Sequence, residues 1–272
     1  RPPWTPPPRP RTDPDGPADA VLQLLAGVVR FNRQLTSLVL TSGLNNKGCA
    51  ALAIALRENR RLEHLGVSGQ HALSSGGVAE LATAVRTHKR LATFQVDGTP
   101  LQVIQLRTEA DRLSVAHQEL GPLSAHAMGT VLRSNALLSV LNLANNRVGA
   151  DGACAVVRGL RDAQLRTLDL SRNGLQGVGD RSALDALFGS VCSHLGLLSE
   201  LRMDENELSC DASTLAPLCK LRNLRTLSLE KNRLTQLPPL IGTLLSLRRL
   251  LLFSNQLVEA GLWALWALWA LC

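Results

Sequence analysis

The 272-residue chain is predicted to form an α/β solenoid, in which stacked repeats place parallel strands on a concave face and helices on a convex one. Two observations predict this fold. Leucines recur in the pattern L-x-x-L-x-L-x-x-N-x-L, and in the clearest copy a helical run rich in small residues follows the strand. The composition agrees with it: there are four Phe, four Trp and no Tyr, so the core must be built from Leu, Val and Ala.

The clearest unit is LLSVLNLANNRVGADGACAVVRGL, from Leu137 to Leu160. Its L-x-L segment is a strand whose alternate side chains point into the core. The amide of Asn146 can satisfy the backbone of the following turn, and Gly149 and Gly152 allow a tight change of direction. The run ACAVVRGL then forms a helix. The hydrophobic period changes from two to about four because each unit is one strand and one helical return.

Nine copies of the strand pattern occur, beginning at residues 35, 62, 91, 110, 138, 165, 198, 224 and 247. The first four are looser than the last five. In the last five the asparagine place is filled throughout, by Asn146, Asn173, Asn206, Asn232 and Asn255. We expect these amides to form a ladder between neighbouring coils. One unit cannot bury its apolar face alone, so the nine should stack around a shared core.

The repeats resemble those of leucine-rich-repeat proteins. The long copies are similar to the ribonuclease-inhibitor-like class, and LSLEKNRLTQLPPLIGTLLSLRRLLLFSNQL resembles the shorter class with its L-P-x-x-I motif. The resemblance covers about residues 18–260 and implies a horseshoe-shaped leucine-rich-repeat solenoid. It implies little about function, because this architecture serves many unrelated partners.

Both ends depart from the pattern. Residues 1–17 are rich in proline and predict an extended, disordered tail, or alternatively a ligand for an SH3- or WW-type domain. Helix Pro17–Phe31 should cap the first repeat, with Val21, Leu24, Leu25 and Val28 as its packed stripe. Residues 261–272 form an apolar low-complexity tail, LWALWALWALC, which is too short to span a bilayer and whose role stays open.

Charge and cysteine content limit the partner classes. The formal net charge of +7 suits an acidic partner without locating one, and cations such as Arg57, Arg60 and Arg61 can be explained by a helix dipole. No base-stacking aromatics accompany the charge, so we expect no nucleic acid. Cys49 and Cys154 replace small apolar residues in helical runs, which indicates buried thiols and a reducing compartment such as the cytoplasm.

Catalytic motifs are not evident. GVGDRS lacks the third glycine of a dinucleotide loop, no phosphate loop or nucleophile elbow occurs, and the six histidines lack metal-ligand spacing. We therefore expect no enzyme activity, no cofactor and no metal.

The concave face is the expected site, because charged residues there accompany an exposed apolar pair in the late repeats, between residues 200 and 254. The candidate partner-binding residues are Glu200, Arg202, Asp204, Glu205, Glu230, Lys231, Arg249, Leu251 and Phe253. The alternative is that these are ordinary solvated side chains, with Leu251 and Phe253 covered by residues after 258.

The sequence thus predicts a monomeric, non-catalytic scaffold that binds another protein and has no membrane span. One alternative is a GTPase-activating regulator, because Ran GTPase activators also resemble the ribonuclease-inhibitor-like class. No catalytic residue can be transferred from them, and their typical acidic tail is replaced by an apolar one. A second alternative is the sensor region of a larger receptor.

Overall fold

A computed structural model describes residues 17–69, 73–107, 110–176, 181–209 and 211–258. Most of the predicted proline-rich tail and the whole apolar tail lie outside the described residues. Within these ranges, strands and helices alternate along the chain, and no helix has the length and hydropathy needed to cross a membrane. The α/β solenoid predicted from the sequence is confirmed.

Each of the nine predicted copies contains a short strand that begins two residues after the predicted start. A tenth strand, β4, was not predicted. In chain order the strands are β1 Ser37–Val39, β2 His64–Gly66, β3 Thr93–Gln95, β4 Leu101–Gln102, β5 Arg112–Ser114, β6 Val140–Asn142, β7 Thr167–Asp169, β8 Glu200–Arg202, β9 Thr226–Ser228 and β10 Arg249–Leu251.

Helices return the chain from one strand to the next. They are α1 Pro17–Phe31, α2 Asn46–Glu58, α3 Ser75–Thr87, α4 Val103–Arg107, α5 Pro122–Leu132, α6 Gly149–Gly159, α7 Arg181–His194 and α8 Ala212–Leu215. The shorter late repeats use the 3₁₀ helices Ala216–Lys220 and Pro239–Thr243. Side-chain caps begin several of these helices: the amide oxygen of Asn45 accepts from Gly48 N–H at 2.8 Å, and Asp211 accepts from Thr214 N–H at 3.2 Å.

The sheet is divided in two. Strands β5 to β10 form one parallel sheet and β1 to β3 begin another, but β4 then pairs antiparallel with β3. Gly98, at φ +70°, and Pro100 reverse the chain after β3, and Leu101 comes to lie opposite Phe94. The edge of β3 that should receive the next parallel strand is thereby occupied. The helix layer bridges this break, because α3 packs directly on α5.

Helix α1 packs through a different face from the one predicted. Its buried side chains are Leu22, Ala26 and Val29, whereas Val21 is 62% exposed and Leu24 is 72% exposed. This helix is apolar around most of its circumference, so periodicity could not choose between two stripes. The shape of α2 selects the stripe that packs. Leu22 fits against α2 at Gly48, where an added Cβ would lie only 2.7 Å from a Leu22 methyl carbon.

The strand leucines and the inner helix faces form one hydrophobic core that runs from Leu22 to Leu244. Burial of each strand leucine should stabilise the fold by about 1.5–3 kcal/mol. Cys49 and Cys154 lie in this core as free thiols, in agreement with their predicted burial. Burial raises the pKa of the Cys49 thiol to about 11, so it stays protonated and unreactive at neutral pH.

A second ladder of polar side chains lies at the C-terminal ends of the early helices, and it was not predicted from the sequence. Buried Asn59 accepts from Arg61 N–H at 2.7 Å and Leu62 N–H at 2.8 Å, and it donates to the Val29 carbonyl at 2.6 Å. Asn135 has the same role ahead of β6, where it accepts from Leu137 N–H at 3.2 Å. Each amide also donates to a carbonyl of the preceding coil, Val29 for Asn59 and Ala110 for Asn135, and so joins neighbouring repeats while fixing the start of the next strand.

His88 stands three residues before Leu91, at the position that corresponds to Asn59 and Asn135. It is 4% exposed, and its Nδ1 accepts from Leu91 N–H at 3.0 Å. The pKa of His88 is lowered, mainly because the ring is buried. A hydrogen bond with the backbone of Asn59 opposes this shift, whereas the charge of Arg107 adds to it. Arg107 itself, on α4, donates to the Leu91 carbonyl at 2.6 Å and so holds this junction together.

We expect His88→Asn to reduce the loss of stability in acid. Because the folded-state pKa lies below the unfolded value of about 6.5, the unfolded chain binds the proton more readily. The stability that neutral His88 contributes is complete above the pKa of histidine in the unfolded chain. It is lost as the pH falls through the lower pKa of His88 in the folded protein. Asparagine can accept from Leu91 N–H without titrating. Melting temperatures of both proteins, measured from pH 7.5 down to about pH 5, should diverge in acid; parallel curves would contradict the assignment.

Candidate interaction surface on the concave face

The concave face is the side of the strands turned away from the helices, and parallel pairing brings its side chains into rows. One row contains Thr167, Glu200, Thr226 and Arg249, and the next contains Asp169, Arg202, Ser228 and Leu251. Residues that are 23 to 33 positions apart in the chain are thus direct neighbours. The nine predicted site residues all lie on strands β8 to β10 or in the turns that follow them, on three adjacent repeats.

Three charged side chains from successive repeats form a continuous ion-pair row. The guanidinium of Arg172 makes two contacts with the Glu205 carboxylate, both at 2.8 Å, and Lys231 Nζ lies 2.8 Å from the same carboxylate. The hydrogen bond from Arg172, with that from Lys231, lowers the pKa of Glu205 to about 2. Glu205 is therefore ionised over the physiological range, and its charge is matched inside the row.

The backbone explains why these three side chains meet. Asn145, Arg172, Glu205, Lys231 and Ser254 occupy the same place in their repeats, immediately before the ladder asparagine, and all have φ between +51° and +57°. This left-handed conformation is uncommon for residues other than glycine. Each repeat thereby aims one side chain along the solenoid axis, so that charges of alternating sign come into contact.

Asp204 supports the structure more than it offers a free charge. Its Oδ1 accepts from Ser228 Oγ at 2.5 Å and from Glu230 N–H at 2.8 Å, while Ser171 Oγ lies 3.4 Å from Oδ2. One carboxylate therefore connects three consecutive repeats. We interpret Asp204 as a structural residue that joins the repeats beneath the predicted surface.

The concave side chains of β9 are short and buried. Thr226 and Ser228 are buried, although they point to the concave side, because longer side chains on β8 and β10 stand beside them. On β8, Arg202 Nε lies 2.7 Å from a Glu200 oxygen, and this pairing raises the pKa of Arg202. On β10, Arg249 Nε donates to Thr226 Oγ1 at 3.2 Å.

The last described strand brings an apolar pair next to these charges. Leu251 is 39% exposed and Phe253 is 74% exposed. The expected alternative, that residues after 258 cover this pair, falls on residues outside the described part of the chain. The carbonyl of Phe253 accepts from Lys231 N–H at 2.8 Å, which places this pair one repeat beyond the ion-pair row.

The five asparagines at the fixed place make the hydrogen bonds of a ladder along the rim of the concave face. Asn206, for example, accepts from Asn173 N–H at 2.8 Å and donates to the Leu170 carbonyl at 3.0 Å. Asn232 repeats this pattern one coil later, accepting from Asn206 N–H at 3.0 Å. Asn146 and Asn255 occupy the two ends of the ladder.

The nine predicted site residues therefore divide into groups with different roles. Glu205 and Lys231 belong to the ion-pair row, Leu251 and Phe253 form the apolar pair, and Glu230 has a partly buried side chain beside them. Arg172 completes the row but is absent from the predicted site. The signal was present in the sequence, because Arg172 stands immediately before a ladder asparagine, as Glu205 and Lys231 do.

Stacked strand–helix coils, leucines filling the interior and an asparagine ladder define a leucine-rich-repeat solenoid. The family model described as Leucine Rich Repeat matches two stretches, residues 164–185 and 223–244. These stretches contain β7 and β9 and the turns that follow them. No curated protein matches the sequence.

Two solved structures resemble the fold loosely. Actin-binding site 2 of leiomodin-1 aligns with a TM-score of 0.40 at 18% identity, over 62% of this chain and 82% of that one. The tropomodulin C-terminal domain from Caenorhabditis elegans aligns with a TM-score of 0.34 at 9% identity, over 74% of this chain and 92% of that one.

Proposed function

We propose that the chain is a non-catalytic scaffold that binds another protein through the concave face of its late repeats. The observation that carries this proposal is the exposed pair Leu251 and Phe253 beside a row of fixed ion pairs. Large apolar side chains next to ordered charges are typical of the residues that contribute most to binding energy at protein interfaces.

The surface is also organised before any partner arrives. Arg172 is held at two points by Glu205, and Glu205 is held in turn by Lys231. Long charged side chains that are already ordered lose little rotamer freedom when they are buried. Charges of alternating sign should favour a partner that presents the complementary order along its own surface.

The test compares two variants with the same chemical change at different places. Leu251→Ser/Phe253→Ser removes the apolar pair, whereas Leu245→Ser removes a side chain that is 90% exposed in the loop before β10. Proteins captured from a lysate with the wild-type chain would be identified, and their affinity for each purified variant measured by calorimetry.

We expect the double variant to weaken binding at least about tenfold, which corresponds to a loss of about 1.4 kcal/mol. Leu245→Ser should bind like the wild type, since both changes lie on the surface and should leave the fold intact. Equal affinity of the double variant and the wild type would refute the proposed site. The GTPase-activator and receptor-sensor alternatives stay predictions.

A further inference from the structure

The positive charge of the protein is concentrated at one end of the solenoid. Residues 30–90 contain nine Lys and Arg against three Asp and Glu, which accounts for +6 of the net charge of +7. The net charge is therefore not a property of the whole surface, and the end of α1 together with the first two repeats has to be explained separately.

Most of this charge gathers where α1, α2 and α3 end. A groove of about 650 Å³ is lined by five arginines together with Phe31 and the acidic Glu58; the arginines are Arg30, Arg33, Arg60, Arg61 and Arg90. A second groove of about 400 Å³ adjoins it, sharing Arg60 and Arg90 and adding Arg57 and Lys89. Together these two recesses form what we call the basic groove.

Few of these cations have an acidic partner. Arg30 pairs with Glu58 at 2.7 Å and Arg90 pairs with Glu63 at 3.0 Å. Among the described residues, no ion pair joins the other five to an acidic side chain; these are Arg33, Arg57, Arg60, Arg61 and Lys89, all exposed. Neighbouring cations with unmatched charge repel one another, which is a cost that a bound anion would remove.

The helix dipole explains only a fraction of this arrangement. Arg57 lies in the last turn of α2, where a cation is favourable, but Arg33, Arg60, Arg61 and Lys89 follow the helix ends. Two carbonyls at these ends also have other side-chain donors: Asn59 donates to the Val29 carbonyl, and Arg107 donates to the carbonyl of His88. These two carbonyls therefore need no cap from the arginines beyond the helices.

We propose that the basic groove binds an extended, carboxylate-rich segment of a protein partner. Packed helices lie about 8–10 Å apart, and three residues of an extended chain cover about 10 Å. Acidic side chains at every third position of such a segment would thus reach the cations of successive repeats. Arginine is suited to this task because its planar head holds a carboxylate at two points.

The lining favours a peptide over a nucleic acid. Single-stranded nucleic acids are held by several aromatic side chains that stack on successive bases. Among the residues that line the basic groove, Phe31 is the only Phe, Tyr or Trp. It is 73% exposed, and the Arg30 guanidinium lies 5.2 Å from its ring centre. One such ring can anchor a single apolar residue of a peptide.

The test uses defined probes with the purified full chain. The first is a fluorescent peptide of repeating Glu-Glu-Ser, about twelve residues long to span the ends of α1, α2 and α3. Its Lys-Lys-Ser counterpart, an oligothymidine of similar length and vesicles containing phosphatidylserine are the comparisons. The groove variant is Arg33→Glu/Arg60→Glu/Arg61→Glu. The control variant, Arg133→Glu/Arg158→Glu/Arg222→Glu, makes the same change of net charge at exposed positions outside the groove.

We expect the wild type to bind the acidic peptide, the groove variant to bind it at least about tenfold more weakly, and the control variant to lose less than about twofold. Absence of peptide binding by the wild type, or an equal loss in both variants, would overturn the proposal. Tighter binding of the oligonucleotide or of the vesicles than of the peptide would overturn the assignment to a protein segment. The Leu251→Ser/Phe253→Ser variant should bind the peptide normally, which separates this surface from the concave one.

Discussion

Replacing Asn206 with alanine should lower the free energy of unfolding by about 3 kcal/mol, the largest loss that we expect from one polar side chain. Asn206 is 1% exposed. Its Oδ1 accepts from Asn173 N–H at 2.8 Å and Leu175 N–H at 3.3 Å, and its Nδ2 donates to the carbonyls of Leu170 at 3.0 Å and Asp204 at 3.1 Å.

The cost arises because alanine leaves these backbone groups buried without their partner. Each unsatisfied buried donor or acceptor costs about 1–3 kcal/mol, and local relaxation should recover some of the total. The groups belong to neighbouring coils as well as to the turn that carries Asn206. The change should therefore weaken the interfaces between repeats along with that turn.

Urea denaturation followed by far-ultraviolet circular dichroism measures the effect. The matched control is Asn142→Ala, because Asn142 is only partly buried and its Oδ1 accepts a single hydrogen bond, from Ala144 N–H at 2.9 Å. We expect this control to lose about 1 kcal/mol or less. If Asn206→Ala were no more destabilising than Asn142→Ala, the ladder would not be a major source of stability.

The force that positions each element decides whether the sequence predicts it. All nine repeat strands were predicted because leucines at alternate positions can bury only one face of a strand. The break between β3 and β5 was not predicted, because Gly98 and Pro100 have the appearance of an ordinary turn. Their consequence, a chain reversal that fills the edge of β3, depends on pairing that no local pattern encodes.

Helix α1 shows a different limit. Its leucines and valines supply two apolar stripes, and periodicity ranks them equally. The choice was made by the shape of the neighbouring helix, where Gly48 leaves room for Leu22. That information lies about 26 residues away in the sequence and becomes visible only when the two helices are packed together.

The ion-pair row was predicted only in part, for a related reason. Their strand positions follow from the repeat, so Glu205, Lys231 and Phe253 could be placed on one face without a structure. How far a long side chain reaches could not be predicted from the repeat, and Arg172 was therefore missed. The second ladder left a usable signal, because Asn59 and Asn135 stand three residues before the first leucine of a repeat. His88 at the equivalent place obscured that pattern.

The close contact between α5 and α6 depends on two glycines that face each other. A Cβ added at Gly129 would lie 2.4 Å from the Ala155 carbonyl oxygen, and one added at Gly159 would lie 2.0 Å from the Gly129 carbonyl oxygen. The obstacles are backbone atoms, so no side-chain rotation can relieve the overlap. The two helices can therefore approach this closely only without side chains at their contact.

We expect Gly129→Ala to destabilise the protein by about 2–3 kcal/mol, because the helices must separate to admit the methyl group. Alanine is otherwise the better helix former by about 1 kcal/mol. The expected loss of stability is therefore the energy cost of the steric overlap minus this gain in helix propensity. The matched control is Gly189→Ala in α7, where an added Cβ would meet no atom within 4 Å.

The control should stabilise the protein by up to about 1 kcal/mol, since only the helix propensity changes. The same substitution should thus lower the free energy of unfolding in one helix of the solenoid and raise it in another. Urea denaturation of both variants beside the wild type would measure this directly. If Gly129→Ala were neutral or stabilising, α5 and α6 would have to lie farther apart than the structure places them, and the shared core between these repeats would be looser than its buried leucines imply.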